Sequence, residues 1–198
     1  MNKMIPKNTK KIILFLIKHF NTLGFNINQI SKETEISVGS SFKILKNLER
    51  DDLITKEEIS NASYYKLNLD NQETIKLCEL LLLGEKRELQ GYAKLYAKDI
   101  DKFEDADLII LFGSILKKND FKDVDALFLT DKVKKTAAFC LKMSSIRIKP
   151  IVPLIMRKED FIRDLKDKSS AISGILKESV LLKGETILME MMADVNKK

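Results

Sequence analysis

A glycine, a serine and two aspartates are spaced in a way that suits phosphate and metal chemistry. Gly113 and Ser114 directly follow the apolar run Leu108–Phe112. A glycine at a strand-to-helix turn lets the backbone approach a phosphate, and amides at the start of a helix favour that anion. Asp123 and Asp125 lead into a second apolar run. Two residues apart on a strand, they would point to the same side and share one hard divalent cation.

These four residues predict a nucleotide-binding turn and a metal site. Gly113 and Ser114 would contact the nucleotide, and Asp123 and Asp125 would hold Mg²⁺. The cation would bridge the phosphates of a nucleoside triphosphate and stabilise charge on a transferring group. A helix is expected to follow the turn, over residues 115–118. The alternative is that the two aspartates only end a turn before a strand.

The order of these residues resembles the nucleotidyltransferases of the DNA polymerase beta-like superfamily, in their minimal prokaryotic form. "LIILFGS" is followed by eight spacer residues and then by "DVDALFL". Further along, "IKPIVPLIMRKEDFIRDL" is similar to the family's third strand and following helix. "ISGILKESVLLKGE" is similar to its closing helix and last short strand. The resemblance covers about residues 105–190 and implies a small mixed sheet with a nucleotide site.

One part of the family's pattern is missing. Active members carry a third carboxylate on the later strand, which completes the metal site and activates the attacking hydroxyl. The segment 148–155 has no acid, and Glu159 and Asp160 fall where they could equally cap the next helix. Lys122 stands where a small hydroxyl residue usually precedes the first aspartate. We therefore expect weak or absent catalysis. The alternative is an active, antitoxin-type enzyme that transfers a nucleoside monophosphate to a protein or small-molecule hydroxyl.

The composition indicates a globular protein, and its histidine and cysteines do not suggest a catalytic or metal site. With 44% apolar and 32% charged residues, the 198-residue chain can bury a core and is not of the disordered class. His19, the only histidine, lies among apolar neighbours, which favours a structural role. Cys78 and Cys140 lack metal-site spacing, so a reduced, cytoplasmic setting is expected. No apolar run approaches the roughly 18 residues of a membrane span, and no signal-peptide cleavage site is evident.

The net charge lies entirely in the first quarter of the chain. Residues 1–50 hold nine Lys/Arg against three Asp/Glu, whereas the remaining residues hold 26 of each. Such an asymmetry is expected if the first segment binds a polyanion, and double-stranded DNA is the partner it predicts. A lysine-rich solvated surface is the alternative.

Helical periodicity in this segment predicts three helices. Apolar residues recur with helical spacing over residues 9–20, and Gly24 is expected to stop that helix. A short second helix is expected over Asn28–Glu35, with Asn28 as its N-cap. A three-residue turn around Ile36 and Ser37 would lead to a third helix that ends near residue 50.

The third helix is predicted to be amphipathic. Its apolar stripe would consist of Val38, Phe42, Leu45 and Leu48. Its outer, polar side would carry Ser40, Lys43, Asn47 and Arg50, with Lys46 beside them.

A predicted hairpin follows, with strands over residues 53–59 and 64–69 and a turn over 60–63. Three helices and a hairpin, with "INQISKETEISVGSSFKILKNLERDDLI" among them, resemble the winged-helix regulators of archaea and bacteria. The resemblance implies that the third helix enters the major groove. Its base-reading residues would be Ser40, Lys43 and Asn47, and its phosphate contacts Lys46, Arg50 and the N-terminal lysines. Glu57 and Glu58 argue against a strong contact from the wing.

Residues 71–102 are rich in leucine, glutamate and lysine and contain no proline. We expect one helix, with Leu77, Leu80, Leu81 and Leu83, that Gly84 ends or kinks. A second helix from about Glu85 would carry Leu89, Tyr92, Leu95 and Tyr96 on one side. Dimerisation through this segment is one hypothesis, and packing against the C-terminal domain is the alternative.

The sequence therefore predicts an α+β protein with a winged helix at 1–69, a helical connector at 70–104 and a nucleotidyltransferase-like domain at 105–198. The expected function is DNA-binding transcription regulation, with a second domain that binds a metal–nucleotide or mediates assembly. An active nucleotidyltransferase is the first alternative. A scaffold in which both domains contact protein partners is the second.

Overall fold

The computed structural model describes residues 5–20, 23–117, 120–167 and 169–197. Its helices and two small sheets confirm the α+β class. Contacts divide the chain into two compact units, one comprising Met1–Leu81 with Met192–Lys198 and the other Leu82–Met191. The functional boundaries after residues 69 and 104 stay a prediction, because a division by contacts does not test function. Among the described residues, no helix is long and apolar enough to cross a membrane.

The first unit contains three helices and a three-stranded antiparallel sheet in the order β1-β3-β2. Its elements are α1 (Lys7–Lys18), β1 (Phe25–Asn26), α2 (Ile27–Thr34), α3 (Val38–Arg50), β2 (Ile54–Ile59) and β3 (Ala62–Leu67). This is the order of elements in a winged helix, with β2 and β3 as the wing. The three helices and the hairpin predicted from the sequence are therefore confirmed.

The second helix begins earlier than predicted. Asn26, not Asn28, is its N-cap: the Asn26 side chain accepts from the Gln29 amide at 3.0 Å, and the Gln29 side chain accepts from the Asn26 amide at 2.9 Å. This reciprocal capping box satisfies two amides at once. The three-residue turn is confirmed, because α2 ends at Thr34 and α3 begins at Val38. Glu35 makes the turn possible by adopting a left-handed conformation with φ of 56°.

Gly24 does not stop the first helix, which ends at Lys18 with His19 as its C-cap. A Cβ on Gly24 would lie 2.6 Å from the Tyr65 carbonyl oxygen, and its φ is +77°. The glycine therefore permits a close approach to β3. His19 stacks on Phe15 with ring centroids 4.3 Å apart, and its Nδ1 lies 3.0 Å from the Phe15 carbonyl oxygen. These contacts favour the structural role for His19.

The wing has a tighter turn than predicted. Ile59 pairs with Ala62, which leaves a two-residue turn at Ser60 and Asn61 instead of one over 60–63. Both turn residues have positive φ, at 46° and 66°. That combination belongs to the type I′ turn, whose twist matches an antiparallel hairpin.

The helix α4 (Gln72–Glu88) passes through Gly84, so the glycine does not end the helix. An interior glycine costs a helix about 1 kcal/mol, which its strong helix-forming neighbours offset. The following helix, α5 (Gly91–Ile100), starts six residues later than predicted. Two residues of the apolar side predicted for this helix differ in burial: Tyr96 is buried, whereas Leu95 is exposed. The Tyr96 hydroxyl donates to the Lys149 carbonyl at 2.8 Å.

The second unit is built on a four-stranded sheet in the order β6-β5-β4-β7. Its strands are β4 (Leu108–Phe112), β5 (Val124–Leu129), β6 (Ile151–Met156) and β7 (Ser179–Lys183). The later helices are α6 (Val133–Ile146), α7 (Lys158–Lys166), α8 (Ser170–Lys177) and α9 (Glu185–Asn196). β5 and β6 run parallel, and the β4–β5 and β4–β7 pairs are antiparallel.

The central strands are buried on both sides. Ile109 and Phe128 belong to a core cluster that includes Tyr96, while Ile110 and Leu127 project to the opposite side and are also buried. The sequence of a strand that is buried on both sides is a continuous apolar run. The strand predicted at Leu108–Phe112 is confirmed on that basis.

Candidate functional sites

The polar side of α3 is exposed to solvent. The helix starts after Ser37, whose hydroxyl oxygen accepts from the Ser40 amide at 3.3 Å. The predicted DNA-contacting residues are all exposed: Ser40, Lys43, Lys46, Asn47 and Arg50. Because a helix turns by about 100° per residue, these residues share one side. Of the N-terminal lysines, Lys7, Lys10 and Lys11 lie on α1 and Lys3 lies outside the described residues.

The predicted apolar stripe of α3 is wrong in its first half. Leu45 and Leu48 are buried, but Val38 and Phe42 are 49% and 53% exposed. Ser41 takes the inner position instead and is fully buried. A small side chain fits where α3 packs against α2, and a pattern of apolar residues alone does not reveal such a position.

Two of the polar residues on α3 already have partners. The Ser37 hydroxyl donates to the Ser40 hydroxyl oxygen at 3.0 Å, which leaves Ser40 its own proton to donate. Arg50 Nε donates to Asp51 Oδ1 at 3.0 Å. Both side chains of that pair are more than half exposed, so the ion pair is weak and screened. Arg50 can exchange Asp51 for a phosphate at little cost.

The wing carries acids close to its tip. Lys56 Nζ lies 2.6 Å from Glu58 Oε1, and the Ser63 hydroxyl donates to the same carboxylate at 2.8 Å. These hydrogen bonds lower the pKa of Glu58. Glu57 is exposed beside them. The only lysine on β2 is therefore occupied by an acid, which agrees with the expectation of a weak wing contact.

In the second unit, the end of β4 meets the start of β5. Phe112 pairs with Asp125, so Gly113 lies beside the Asp125 carboxylate. A Cβ on Gly113 would lie 2.3 Å from Asp125 Oδ2. The backbone of Gly113, with φ of 84° and ψ of −158°, is in a region that is essentially open to glycine alone. Two features of this turn therefore require glycine.

The helix predicted after this turn is a single 3₁₀ turn, Ser114–Leu116. Lys118, which the prediction included, lies outside the described residues. Three residues are too few to align the peptide dipoles that attract an anion to a helix start. The prediction that the start of a helix attracts a phosphate here is therefore wrong. A phosphate at this turn would have to be held by a bound cation and by lysine side chains.

The two aspartates interact electrostatically. Burial raises the pKa of Asp125 above its ordinary range, and the negative charge of Asp123 raises it further. An open pocket of about 470 Å³ includes Asp123 in its lining, together with Gly113, Ser114, Lys117, Asp120, Phe121 and Lys122. Lys117 also forms an ion pair with Glu178. The site thus brings together all four residues that the sequence singled out.

The neighbouring strand supplies no third carboxylate. Val152 on β6 pairs with Asp125, and Leu154 pairs with Leu127. Paired residues project to the same side of a sheet, so Val152 is the β6 residue beside Asp125. Among the described residues, no group of three His, Cys, Asp or Glu side chains is placed to hold a metal. Mg²⁺ is nonetheless often held by one or two carboxylates together with the phosphates of a substrate, and two carboxylates fit that arrangement.

The remaining acids and the thiols have other surroundings. Asp160 forms an ion pair with Arg163 at 2.7 Å within α7, and Glu159 is exposed in the same first turn. Burial raises the pKa of the Cys78 thiol to about 12 and that of Cys140 to about 11. Thiols with such a pKa are unreactive, and both cysteines pack as apolar residues.

No protein-family model matches the chain, and no curated protein matches it. A search of solved structures finds a mutant of ZitR from Lactococcus lactis, with 17% identity and a TM-score of 0.39. The match covers 50% of this chain and 64% of the ZitR chain. This likeness is too low to support an argument about fold or function.

Proposed function

We propose that the chain is a DNA-binding transcription regulator that places α3 in the major groove of double-stranded DNA. The observation that carries the proposal is the exposed side of α3. There, two lysines, an arginine, an amide and a hydroxyl lie together on the last helix of a helix–turn–helix with a three-residue turn. In such units the second helix reads the bases and the surrounding cations contact the backbone.

The side chains suit different parts of the duplex. Asn47 has the donor and acceptor that adenine matches in the major groove, and Lys43 suits the two acceptors of guanine. Ser40 retains one proton for a base edge. Lys46 and Arg50 carry exposed charges that suit phosphates. The excess of cations in residues 1–50 would add affinity for any sequence.

The test compares two single substitutions in the full-length chain by fluorescence anisotropy with a set of duplexes. Lys46→Ala is expected to weaken binding to every duplex about equally. Asn47→Ala is expected to reduce the preference between duplexes by roughly 1–3 kcal/mol. Lys142→Ala, an exposed lysine on α6, is the matched control and should change nothing. Equal losses for Lys46→Ala and Lys142→Ala would contradict the proposal.

We infer a second function for the second unit, which is to bind a metal–nucleotide without transferring it. The contact between Gly113 and the Asp125 carboxylate favours this inference, because Gly113 also lines the pocket that contains Asp123 and two lysines. Asp123 and Asp125 would hold Mg²⁺, and the bound cation would neutralise their repulsion and the phosphate charge. Gly113 and Ser114 would offer backbone and hydroxyl donors to the phosphates.

Ligand-induced stabilisation tests this second function. A ligand that binds only the folded state stabilises it by roughly 2.7 kcal/mol at a hundredfold excess over Kd. For a chain of this size, that raises the melting temperature by several degrees. Magnesium with one nucleoside triphosphate should produce the shift, and Asp123→Asn should abolish it. Lys43→Ala on α3 should leave it intact. If no common nucleoside triphosphate shifts the melting temperature, the second unit has no such ligand.

Radiolabelling distinguishes the enzymatic alternative from nucleotide binding without transfer. With Val152 beside Asp125 and no acid on β6, α-labelled nucleoside triphosphates should label neither the protein nor an added partner. Labelling that disappears in Asp123→Asn would establish the antitoxin-type transferase instead.

The scaffold alternative predicts no DNA affinity from α3. A homodimer remains a proposal, and the exposed Leu80 and Tyr92 of α4 and α5 are the residues to substitute in testing it.

A further inference from the structure

The first half of α3 exposes two apolar side chains that its amphipathic pattern would place inside. Val38 and Phe42 are 49% and 53% exposed, whereas Leu45 and Leu48 are buried. The inner position between them is held by Ser41, whose hydroxyl has no hydrogen-bond partner in the described part of the chain. The rotation of α3 that buries a serine therefore leaves a phenylalanine and a valine in solvent.

The two side chains form one surface strip. Residues four apart on a helix are neighbours, so Val38 and Phe42 lie next to each other and Phe42 lies next to Lys46. At 100° per residue, the strip borders the polar side of α3 at Lys46, and Asn47 lies on the far edge of that polar side. The strip also belongs to the N-terminal half of the helix, which is the half that reaches base edges when such a helix enters the major groove.

The surroundings of the strip indicate what covers it. The helix carries Lys43, Lys46 and Arg50 against a single acid, Glu49. A cationic helix surface with an apolar strip complements a polyanion that displays apolar groups. In the major groove of DNA, the C5-methyl group of thymine is the apolar group at the base edges, and phenylalanine is among the residues that contact it.

We propose that Val38 and Phe42 bind thymine methyl groups in the major groove and thereby set sequence preference. The inference rests on the proposed DNA-binding function and adds a means of recognition to it. Asn47 and Lys43 would read hydrogen-bonding edges, while the apolar strip would read methyl groups at neighbouring base pairs. Loss of one buried methyl group corresponds to about a fourfold rise in Kd.

The experiment removes the methyl group alone. Duplexes that bind the full-length chain are selected from a random pool, and each thymine of a selected duplex is then replaced by deoxyuridine, which pairs identically but lacks the methyl group. We expect Kd to rise about fourfold at one or two thymine positions. Phe42→Ala should bind the thymine and uracil duplexes equally at the thymine that Phe42 contacts, and Val38→Ala should do so at the thymine that Val38 contacts. Asn47→Ala and Leu141→Ala, the latter an exposed residue on α6, should retain the difference.

The outcomes separate this inference from the proposed function. If the wild-type chain binds DNA with steep salt dependence but does not distinguish thymine from uracil, the strip does not read methyl groups and the regulator proposal stands. If selection enriches no duplex, both fail. Phe42 is half exposed, so Phe42→Ala should fold, and its melting temperature checks this. Val38→Ala provides a second variant, and methyl discrimination that survives in both variants would overturn the assignment.

Discussion

The two candidate sites differ in what holds their functional groups in place. On α3, each side chain projects from a regular helix into solvent, and removing one leaves the others where they are. At the turn after β4, the Gly113 backbone and the Asp125 carboxylate are in direct contact. The first site should therefore lose function in small, separable steps, whereas the second should fail as a unit.

Their electrostatics also differ. The cations on α3 are exposed and attract an anion from a distance, at little cost to folding. The Asp123–Asp125 pair is partly buried and self-repelling, so ionisation of Asp125 costs stability until a cation binds. Under the proposed functions, the first site would act by attraction to DNA, and in the second a bound cation would relieve the repulsion between the aspartates.

The largest effect is expected from Gly113→Ala, which tests whether the second site is a unit. The new Cβ would collide with Asp125 Oδ2, and the backbone would remain in a region that disfavours alanine. Such strain costs about 1–3 kcal/mol before the collision is counted. We expect a fall in the melting temperature of roughly 2–4 °C per kcal/mol, measured by circular dichroism.

Gly174→Ala is the matched control for that substitution. Gly174 lies inside α8, and apart from its chain neighbours and the backbone of its own helix, no described atom lies within 4 Å of its ideal Cβ. Alanine there should stabilise the chain by roughly 0.4–1 kcal/mol. If the two glycine variants have equal melting temperatures, the close approach at Gly113 is not a constraint.

The next largest effect is a gain of metal affinity in Val152→Asp. This residue would add a third carboxylate beside Asp125, because the two residues are paired in the sheet. More ligand charge raises cation affinity, and we expect Kd for Mn²⁺ to fall about tenfold, equivalent to 1.4 kcal/mol. Electron paramagnetic resonance of free Mn²⁺ would measure it.

Leu154→Asp provides the control for the gained carboxylate. Leu154 is 40% exposed against 45% for Val152 and lies on the same strand, but it pairs with Leu127. It is about 7 Å farther along the strand from the aspartates. Equal Mn²⁺ affinity in both variants would mean that the aspartates do not form the site.

A smaller effect is expected from Glu57→Lys on the wing, which sharpens the contrast by adding attraction to the first site. Reversing an exposed charge should tighten binding to all duplexes by roughly two- to fivefold, or 0.5–1 kcal/mol. Glu159→Lys, an equally exposed acid on α7, is the control. If both variants gain the same affinity for DNA, the gain comes from the total charge of the protein and not from a contact made by the wing.

The smallest effect concerns the pH dependence of stability in Asp125→Asn. Burial and Asp123 raise the pKa of Asp125, so the folded chain holds its proton more tightly than the unfolded chain does. The resulting penalty is absent below the ordinary pKa and grows as pH rises through the folded-state pKa. Asp125→Asn should therefore melt at a higher temperature than the wild type at pH 7 without metal.

The two melting temperatures should converge at acidic pH, where Asp125 is protonated. With magnesium and the nucleotide present, the order should reverse, because the wild type alone keeps both carboxylates for the cation. A wild type that is the more stable at pH 7 without metal would contradict the raised pKa.

Elements with a strong local signal were predicted from the sequence. The apolar run of β4 and the polar side of α3 follow from residue type and period alone. The sequence predicts that Gly113, Ser114, Asp123 and Asp125 form one site, and the antiparallel pairing of β4 with β5 brings Gly113 beside Asp125. What the sequence could not reveal was the rotation of α3, since a buried Ser41 looks polar and an exposed Phe42 looks apolar.

The other errors have a shared physical cause. The sequence predicts that Gly24 ends a helix and that Gly84 ends or kinks one, but a glycine's effect depends on its tertiary surroundings. Gly84 is tolerated inside α4, and Gly24 is needed because β3 passes so close.

The most direct test of the central claim is the salt dependence of duplex binding in Lys43→Gln/Lys46→Gln. Each lysine that neutralises a phosphate releases counterions and contributes about 0.9 to the slope of log K against log salt concentration. If one lysine contacts a phosphate and the other a base, the slope should fall by about 1, and by about 2 if both contact phosphates. Lys134→Gln/Lys135→Gln on α6 should leave the slope unchanged. If the Lys43/Lys46 variant has the same slope as the wild type, binding through α3 is contradicted.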